Sequence, residues 1–275
     1  MSNKTKTCKK PTSINYCQNK SSGGHQGTIL SINKKTCIKK LTKINKEIIF
    51  YNEHKELIDN KITLLQDYIP KYDGICLFNN NKYFEMENLK SSFKQPLSID
   101  IKFGYKTAHK QIIKTKTSNK FKIYSKLSKH YILDRLLSNS HKYGFRIEGV
   151  SLPNTIKLKK STIMKSNLNT IFDYYFINDK NNIILNDFIN KLTELSKTIE
   201  HYDFNRYLFV GASILFTYDG LNISKNPTLK IIDFDNSQIL TDDNDIKKNF
   251  KHATKTRKAI NSLISVLKIN LLNKK

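Results

Sequence analysis

Two different spacings of hydrophobic residues divide this chain into a smaller first part and a larger second part. In residues 23–95, short apolar runs bounded by polar residues predict β-strands, and one stretch has its apolar residues at helical spacing. The predicted strands are 28–32, 36–41, 75–78 and 82–87, and the predicted helix is 44–58. Asn79, Asn80 and Asn81 suit a hairpin turn between the last two strands, because asparagine tolerates left-handed backbone geometry.

Helices and strands alternate over a longer stretch in residues 96–275. The predicted strands and β-rich runs are 97–103, 145–150, 207–218 and 228–234, and the predicted helices are 186–198 and 259–272. A basic, mostly helical segment covers 105–143, with Tyr131 on its predicted buried side. Asp242 to Asp245 form an acidic turn or the start of a helix.

The tail at residues 1–22 is polar and basic, and its lack of apolar residues predicts disorder. The remaining pattern predicts an α+β fold in two lobes. Residues 23–95 form a small β-rich N-lobe, and residues 96–275 form a larger α+β C-lobe.

The charge of the chain predicts what it binds. Its 275 residues can bury a full core, and 48 Lys and Arg residues against 23 Asp and Glu residues give a formal net charge of +25. This surplus predicts a polyanionic partner: nucleic acid, an anionic membrane surface or a highly phosphorylated small molecule. Nucleic acid is not expected as a specific partner, because base readers usually use Arg and the only arginines are Arg135, Arg146, Arg206 and Arg257.

The targeting signals and cysteines predict a compartment. No apolar run approaches the length of a membrane span, and the N-terminus lacks the apolar segment of a secretory signal. Cys8, Cys17, Cys37 and Cys76 contain no Cys-x-x-Cys pair and no metal-ligand spacing, so they are predicted to be free thiols. Free thiols indicate a reducing compartment, the cytoplasm or the nucleus.

A carboxylate and an ammonium group are predicted to share one face of the 97–103 strand. Residues 96–104 read Pro-x-x-x-Asp-x-Lys-x-Gly, so Asp100 and Lys102 point to the same side of an extended segment. Phosphoryl transfer needs such a pair, because a carboxylate orients a hydroxyl while a cation holds phosphate. An ordinary strand with one exposed face shows the same spacing, so the interpretation depends on the other motifs.

The loop before the first predicted strand suits nucleotide phosphates. Gly23, Gly24 and Gly27 lie in one loop, whose backbone N–H groups can cover phosphates. Lys39, on the next predicted strand, is a candidate for reaching the same phosphates and for pairing with Glu47 on the following helix. A solvated lysine and a surface glutamate are the alternatives.

A metal site is suggested further along the chain. Asp233-Phe234 follows two β-branched residues, as in the protein-kinase Asp-Phe-Gly element whose Asp binds Mg²⁺. Ser213, one β-rich run upstream, is predicted to bring a hydroxyl beside Asp233 as a second oxygen ligand. A strand that ends in a turn aspartate is the alternative, and the kinase His-Arg-Asp motif is missing from the sequence.

The order of these motifs resembles that of the inositol polyphosphate kinase family. The matching segments, in chain order, are residues 24–27, 96–104, 144–149, 211–215 and 232–234. They resemble the family's Gly-His-x-Gly loop, Pro-x-x-x-Asp-x-Lys-x-Gly signature, Gly-Phe-Arg-Ile-Glu-Gly strand, Ser-Ser-Leu-Leu motif and Ile-Asp-Phe motif. The resemblance implies a two-lobed kinase-like fold of the ATP-grasp or protein-kinase kind, with ATP and Mg²⁺ as cofactors and an inositol polyphosphate as the second substrate.

The resemblance also implies roles for the residues that match. Asp100 would orient or deprotonate the attacking hydroxyl, and Lys102 would hold the transferring or an acceptor phosphate. Asp233 and Ser213 would hold Mg²⁺. The residues implied at the acceptor are Lys102, Lys106, Lys129 and Arg135.

On the nucleotide side, the resemblance implies that Lys39 contacts the ATP phosphates beneath the loop of Gly24 and Gly27. Glu87 to Leu89 would form the hinge that meets adenine through backbone groups. Arg146 lies in the family strand, where packing or a local salt bridge is as plausible as ligand contact. Ala212 and Asp235 depart from the family pattern, and Asp235 adds either a metal ligand or a turn carboxylate.

The acceptor predicted first is inositol hexakisphosphate, which would give an inositol pyrophosphate. This expectation depends on the positive charge and on the segment between Gly104 and Phe145, which is shorter than expected for the trisphosphate 3-kinases. The runner-up is a multikinase or 3-kinase that acts on lower inositol phosphates. A non-enzymatic polyanion-binding or nucleic-acid-binding protein is the alternative of another class. We expect a monomer.

Overall fold

The computed structural model describes residues 6–12, 17, 29–41, 46–60, 64–105, 119–135, 139–152 and 167–273, with the side chains at 130 and 133–135 outside this description. The N-lobe strands are β1 (Lys6–Thr7), β2 (Ile29–Ser31), β3 (Thr36–Lys40), β4 (Tyr72–Phe78) and β5 (Asn81–Glu87), and its helix is α1 (Lys46–Asp59). They form one sheet in the order β1-β4-β5-β3-β2, in which β1 pairs with β4 in parallel and the other pairs are antiparallel. Asn79 and Asn80 both have positive φ, as the predicted hairpin turn requires.

The start of the chain differs from the predicted disordered tail. Lys6 and Thr7 form β1, and the Cys8 N–H donates to the Leu77 carbonyl at 2.8 Å. This part of the predicted tail is therefore folded onto the edge of the N-lobe sheet. Composition does not reveal β1, because this short strand pairs with a segment seventy residues away in the chain.

The prediction of four free thiols is wrong. Cys8 is bonded to Cys76, and Cys17 is bonded to Cys37. The parallel pairing of β1 with β4 brings the Cα atoms of Cys8 and Cys76 to 4.8 Å, a separation that suits a disulfide. Spacing along the sequence does not reveal such pairs, because sheet register decides which cysteines meet. Free thiols therefore no longer support the prediction of a reducing compartment.

The C-lobe is built on a four-stranded antiparallel sheet. The strands of the whole C-lobe in chain order are β6 (Pro96–Phe103), β7 (Phe145–Val150), β8 (Tyr207–Leu208), β9 (Ser213–Asp219), β10 (Thr228–Ile232) and β11 (Gln238–Ile239). The main sheet has the order β10-β9-β6-β7, and β8 pairs with β11 separately. β6, the strand that carries Asp100 and Lys102, is therefore a central strand.

Helices cover the C-lobe sheet. They are α2 (Lys120–Arg135), α3 (Ser140–Tyr143), α4 (Leu168–Tyr175), α5 (Ile183–Thr198) and α6 (Asp243–Asn273). α6 begins much earlier than predicted, because the Asp242 carboxylate accepts from the Asn244 and Asp245 N–H groups and caps it. α4 was not predicted. None of the described helices is long and apolar enough to cross a membrane. In α2, Ile123 is buried, whereas Tyr131 is 55% exposed, so the predicted burial of Tyr131 is wrong.

The larger hydrophobic core joins the two sheets to α1, α4, α5 and α6. The Phe50 ring of α1 stacks on the Phe234 ring, with 4.0 Å between centroids. The buried Tyr175 hydroxyl of α4 donates to the Leu97 and Phe216 carbonyls of β6 and β9. Both contacts hold the elements that carry the candidate site residues in fixed positions.

Candidate functional site

Strand register brings four predicted site residues together at one end of the C-lobe sheet. Lys102 on β6 lies opposite Ser213 on β9, and Ser213 lies opposite Ile232 on β10. Asp233 directly follows Ile232, so it continues this row of neighbours. Asp100 lies two residues before Lys102 on the same face of β6. The segments that the sequence separates by more than a hundred residues thus form one site.

Asp100 lies in an environment that favours its protonated form. Burial and the negative charge of Asp233 raise the pKa of Asp100 to about 7, although Lys102 opposes the shift. Its Oδ1 atom is inaccessible and has no hydrogen-bond partner among the described residues. The Ser213 hydroxyl lies near enough to lower the pKa of Asp100, but the two groups do not meet hydrogen-bond geometry.

A β-bulge adjusts the backbone beside Asp100. The register between β6 and β7 shifts between Asp100 and Ile101, so Asp100 faces Gly149 while Ile101 faces Ile147. Bulges are common next to active sites because they re-aim side chains. The adjacent Arg146 is buried, and its Nε donates to Glu148 Oε1 at 2.6 Å. This contact gives Arg146 a local salt bridge, one of the two structural roles that the sequence left open.

Asp233 has a left-handed backbone with φ of 66°, which is uncommon for a residue other than glycine. The neighbouring Phe234 is fully buried against Phe50 and fixes this turn, so the Asp233 side chain projects outward and is exposed. Non-glycine residues in such conformations cluster at functional sites. The backbone therefore holds the carboxylate in place at some conformational cost.

The oxygen atoms at this site suit a hard divalent cation. Ser213 Oγ is buried and has no hydrogen-bond partner among the described residues, and the Asp233 carboxylate lies close enough to Asp100 to raise its pKa. Carboxylate and hydroxyl oxygens are ligands that Mg²⁺ accepts. Within the described ranges no cluster of three or more acidic, His or Cys residues surrounds a single point. A bound Mg²⁺ would therefore keep several water ligands, as it usually does.

Lys39 and Glu47 form the predicted pair. Lys39 Nζ lies 2.6 Å from Glu47 Oε2, and Glu47 is almost completely buried. Burial alone would lower the pKa of Lys39, but the carboxylates of Glu47, Asp235 and Asp233 raise it above its ordinary value. Burial raises the pKa of Glu47, and Lys39 opposes that shift. Asp233 and Asp235 lie close enough to Lys39 to raise its pKa, so the Lys39–Glu47 pair and the candidate metal site are neighbours.

The predicted hinge begins at Glu87, the last residue of β5. Glu87 Oε1 lies 3.3 Å from Lys230 Nζ, and this ion pair connects β5 to β10. Asn88 is buried and donates to the Lys34 carbonyl at 2.7 Å, which fixes the segment. The Leu89 N–H has no hydrogen-bond partner among the described residues. This donor is consistent with a hinge that meets a base through its backbone.

Lys90 is a candidate site residue that the sequence did not reveal. It follows the hinge, is 9% exposed, and lies close enough to Asp100 for that carboxylate to raise its pKa. Burial has the larger effect and lowers the pKa of Lys90 to about 8. In a chain so rich in lysine, no spacing distinguishes this residue from its neighbours. Only its burial beside β6 identifies it.

Other predicted site residues are not brought into this site by the described structure. Gly24, Gly27 and Lys106 lie outside the described residues, and so does the side chain of Arg135. Lys129 is exposed on α2. No contact between Lys129 and Asp100 or Lys102 occurs among the described residues, so its substrate role stays a prediction.

Comparison with known proteins identifies the family of this chain. A family model described as inositol polyphosphate kinase matches residues 83–268. The chain is 24% identical to inositol-trisphosphate 3-kinase A of Mus musculus in an alignment of 193 residues that covers 61% of this chain and 42% of that protein. It is also 24% identical to inositol-trisphosphate 3-kinase C of Homo sapiens in an alignment of 205 residues that covers 65% of this chain and 29% of that protein. The chain thus spans less than half the length of these curated relatives.

Solved structures share the fold. The inositol phosphate multikinase Ipk2 from S. cerevisiae, in complex with ADP and Mn²⁺, aligns with a TM-score of 0.64 and 18% identity over 86% of this chain and 99% of that chain. A second inositol phosphate multikinase structure aligns with a TM-score of 0.57 and 16% identity, over 81% of this chain and 98% of that chain. At these identities the likeness concerns the fold, and it confirms the predicted two-lobed kinase-like α+β architecture.

Proposed function

Because this chain belongs to the inositol polyphosphate kinase family, we propose that it transfers the γ-phosphoryl group of ATP to an inositol phosphate. The observation that carries the proposal is Asp100, a carboxylate with a pKa of about 7 on the same strand face as Lys102. A general base works best when its pKa lies near the operating pH. Ser213 on β9 and Asp233, directly after β10, complete the site.

Asp100 and Lys102 would act on the acceptor. The Asp100 carboxylate accepts the proton of the attacking hydroxyl, while the Lys102 ammonium holds the phosphate that is transferred or one already on the ring. Where the acceptor atom is a phosphate oxygen, no alcohol proton has to be removed. In that case Asp100 orients the acceptor.

The remaining residues would bind the nucleotide. Lys39, which Glu47 holds at 2.6 Å, would contact the ATP phosphates, and the Leu89 N–H would meet the base. Asp233 and Ser213 would hold Mg²⁺, which when bound neutralises charge on the phosphates. Lys90, buried between the hinge and Asp100, adds positive charge between the nucleotide and acceptor sides.

We propose inositol hexakisphosphate as the acceptor, which would make the product an inositol pyrophosphate. The net charge of +25 supports a substrate with many negative charges, and so does the length of the segment between β6 and β7. A kinase for lower inositol phosphates is the second candidate. The trisphosphate 3-kinase and multikinase identities of the similar proteins favour it.

A panel of acceptors tests the proposal. The protein is incubated with ATP, Mg²⁺ and inositol phosphates that carry from three to six phosphates, and the products are separated by charge. A product more charged than hexakisphosphate supports the first candidate, and products from lower inositol phosphates alone support the second. If no acceptor is phosphorylated while RNA is bound with a steep salt dependence, the kinase proposal fails and a polyanion-binding protein replaces it.

A further inference from the structure

A cavity of about 440 Å³ lies between α4, the turn that follows α4, and the last turns of α6. Its volume falls within the range of roughly 300–1,000 Å³ that is typical of small-molecule pockets. Most of the side chains that line the cavity end in a carboxylate or an amide. They are Asn169, Asp173, Asp179, Asn182, Asn270 and Asn273. The cavity therefore has the size and the polar groups to bind a small molecule.

Two buried oxygen atoms at this cavity have no hydrogen-bond partner among the described residues. Asp179 is 3% exposed, and its Oδ1 atom is unpaired although its Oδ2 atom accepts from the Leu185 N–H at 2.8 Å. Asn270 is 2% exposed, and its Oδ1 atom is unpaired although its Nδ2 atom donates to Asp173 Oδ1 at 3.0 Å. Buried polar atoms are nearly always hydrogen-bonded, because an unpaired one has lost water without compensation. Both atoms are therefore candidates for contact with a ligand.

The fold holds these two oxygen atoms in fixed positions. The Asp179 N–H donates to the Phe176 carbonyl at 3.0 Å, and the Asn182 N–H donates to the Asp179 carbonyl at 3.1 Å. These bonds fix the turn on one wall of the cavity, and the bond to Asp173 fixes Asn270 on the other wall. A site that is already ordered loses little conformational entropy when a ligand binds.

The lining of the cavity is acidic although the chain is strongly basic. Asp173 and Asp179 contribute two carboxylates, and among the described residues that line the cavity Lys180 is the only basic one. The whole chain has 48 Lys and Arg residues against 23 Asp and Glu residues. A buried carboxylate oxygen is stabilised by a positive charge or by a hydrogen-bond donor. The lining therefore favours a cation that donates hydrogen bonds.

We propose that this cavity binds the primary ammonium group of a small aliphatic amine. An ammonium group carries a positive charge and three N–H donors, which suit Asp179 Oδ1, Asn270 Oδ1 and the Asp173 carboxylate. Phe176 and Ile177 add an apolar wall, and Ile177 is 58% exposed. The carbon chain of the amine would lie against this wall and remove it from water.

An amine suits this cavity better than a metal ion does. Within the described ranges, no group of three or more Asp, Glu, His or Cys side chains is placed to hold a metal. A Ca²⁺ ion with oxygen ligands at about 2.4 Å would fill only a small part of the cavity and would gain nothing from Ile177.

The cavity lies away from the candidate phosphoryl-transfer site. The Tyr218 hydroxyl donates at 2.6 Å to the carbonyl of Tyr175, the residue before Phe176 in the cavity wall. Tyr218 and Ser213 are five residues apart on β9, which corresponds to about 17 Å along the strand. The amine would therefore bind at the opposite end of the C-lobe sheet from Ser213 and Lys102.

Calorimetry with the full chain tests the proposal. The protein is titrated separately with putrescine, with butanediol and with calcium chloride, without nucleotide or inositol phosphate. We expect saturable binding of putrescine and none of butanediol, because the diol carries hydroxyls where putrescine carries ammonium groups. If putrescine shows no saturable binding, the proposal is wrong. Binding of Ca²⁺ in place of putrescine would overturn it in favour of a metal site.

A matched pair of variants locates the bound amine. Asp179→Asn keeps an oxygen for the Leu185 N–H but removes the charge, so we expect about tenfold weaker binding of putrescine. Asp67→Asn, at an exposed position outside the cavity, changes the net charge by the same amount and should keep the affinity of the unsubstituted protein. Equal losses in the two variants would overturn the proposal, because net charge alone would then explain binding.

Ile177→Ser decides the question if thermal unfolding shows that Asp179→Asn does not fold. Ile177 is largely exposed, so its substitution should preserve the fold and weaken putrescine binding about threefold. Leu221→Ser is the control, because Leu221 is 70% exposed outside the cavity. An affinity that Ile177→Ser leaves unchanged would overturn the proposal.

This proposal is independent of the proposed function, because the titration requires no turnover. Asp179→Asn should phosphorylate an inositol phosphate at the rate of the unsubstituted protein, since the cavity lies away from Ser213 and Lys102. If neither protein phosphorylates any acceptor, the kinase proposal fails, while the putrescine titration still decides whether the cavity binds an amine.

Discussion

The Lys39 ammonium and the Glu47 carboxylate join β3 to α1 across 2.6 Å, and Glu47 is 3% exposed. Phe50, one turn further along α1, stacks on Phe234 next to Asp233. The same helix therefore orients the lysine assigned to the ATP phosphates and supports the turn that carries the candidate metal ligand. A substitution at Glu47 should therefore weaken nucleotide binding more than it weakens binding of the acceptor.

Glu47→Gln tests this connection. The substitution keeps the shape of the side chain but removes the charge that orients Lys39, so we expect the KM for ATP to rise by about tenfold with a smaller change in kcat. Glu56→Gln, on an exposed position of the same helix, is the control. Steady-state kinetics over a range of ATP concentrations make the measurement. An unchanged KM would show that Glu47 does not act on the nucleotide.

Asp100→Asn tests the catalytic assignment. The amide cannot accept a proton, so with an acceptor that reacts through a hydroxyl we expect turnover to fall by about a hundredfold or more while ATP still binds. ATP affinity is measured by calorimetry and turnover by product separation. Asp59→Asn, at an exposed position at the end of α1, should keep full activity. Full turnover in Asp100→Asn would exclude Asp100 as the base.

The raised pKa of Asp100 makes stability depend on pH. The unfolded chain loses this proton near an ordinary aspartate pKa of 3.8, whereas the folded protein holds it up to about 7. The contribution of Asp100 to stability is therefore highest below pH 3.8 and falls as pH rises towards 7. We expect Asp100→Asn to raise the unfolding midpoint at pH 8 by a few degrees, on the order of 1 kcal/mol. An equal midpoint at pH 8 would contradict this.

His54 predicts a loss of stability in acid. It is 4% exposed, its Nδ1 lies 3.2 Å from the Tyr207 hydroxyl, and burial lowers its pKa from 6.5 to about 4. Below pH 6.5 His54 binds a proton in the unfolded chain but not in the folded protein, so stability falls between pH 6.5 and 4. Urea unfolding at several pH values measures the loss. His54→Phe should reduce the slope in this range, and His141→Gln, at an exposed position, should not.

The disulfides predict sensitivity to reducing agents. Cys8–Cys76 closes a sequence separation of 68 residues and Cys17–Cys37 one of 20 residues. Each bond limits the freedom of the unfolded chain, so reduction should cost about 2–4 kcal/mol per bond. Thermal unfolding with and without dithiothreitol measures this, with thiol alkylation to confirm reduction. Cys8→Ala/Cys76→Ala should show only part of the effect. Equal midpoints with and without dithiothreitol would contradict the prediction.

The sequence determined the elements whose signals are local. The hairpin at Asn79 and Asn80, the alternation along β6 and the helical spacing of α5 all depend on neighbouring residues, and each formed where it was predicted. Asp100 and Lys102 share one side of β6 because side chains alternate along any strand. The Lys39–Glu47 pair was also predicted correctly, since it needs only the next two elements to pack together.

The tertiary structure alone decided the features that depend on distant segments. Register across β6, β9 and β10 brought Ser213 and Asp233 to Lys102, and burial between the hinge and β6 selected Lys90 among many lysines. The disulfides and the cavity between α4 and α6 also follow from which surfaces meet. Sequence periodicity fixes the direction of a side chain relative to its own element, but contact, burial and pKa arise only when elements pack.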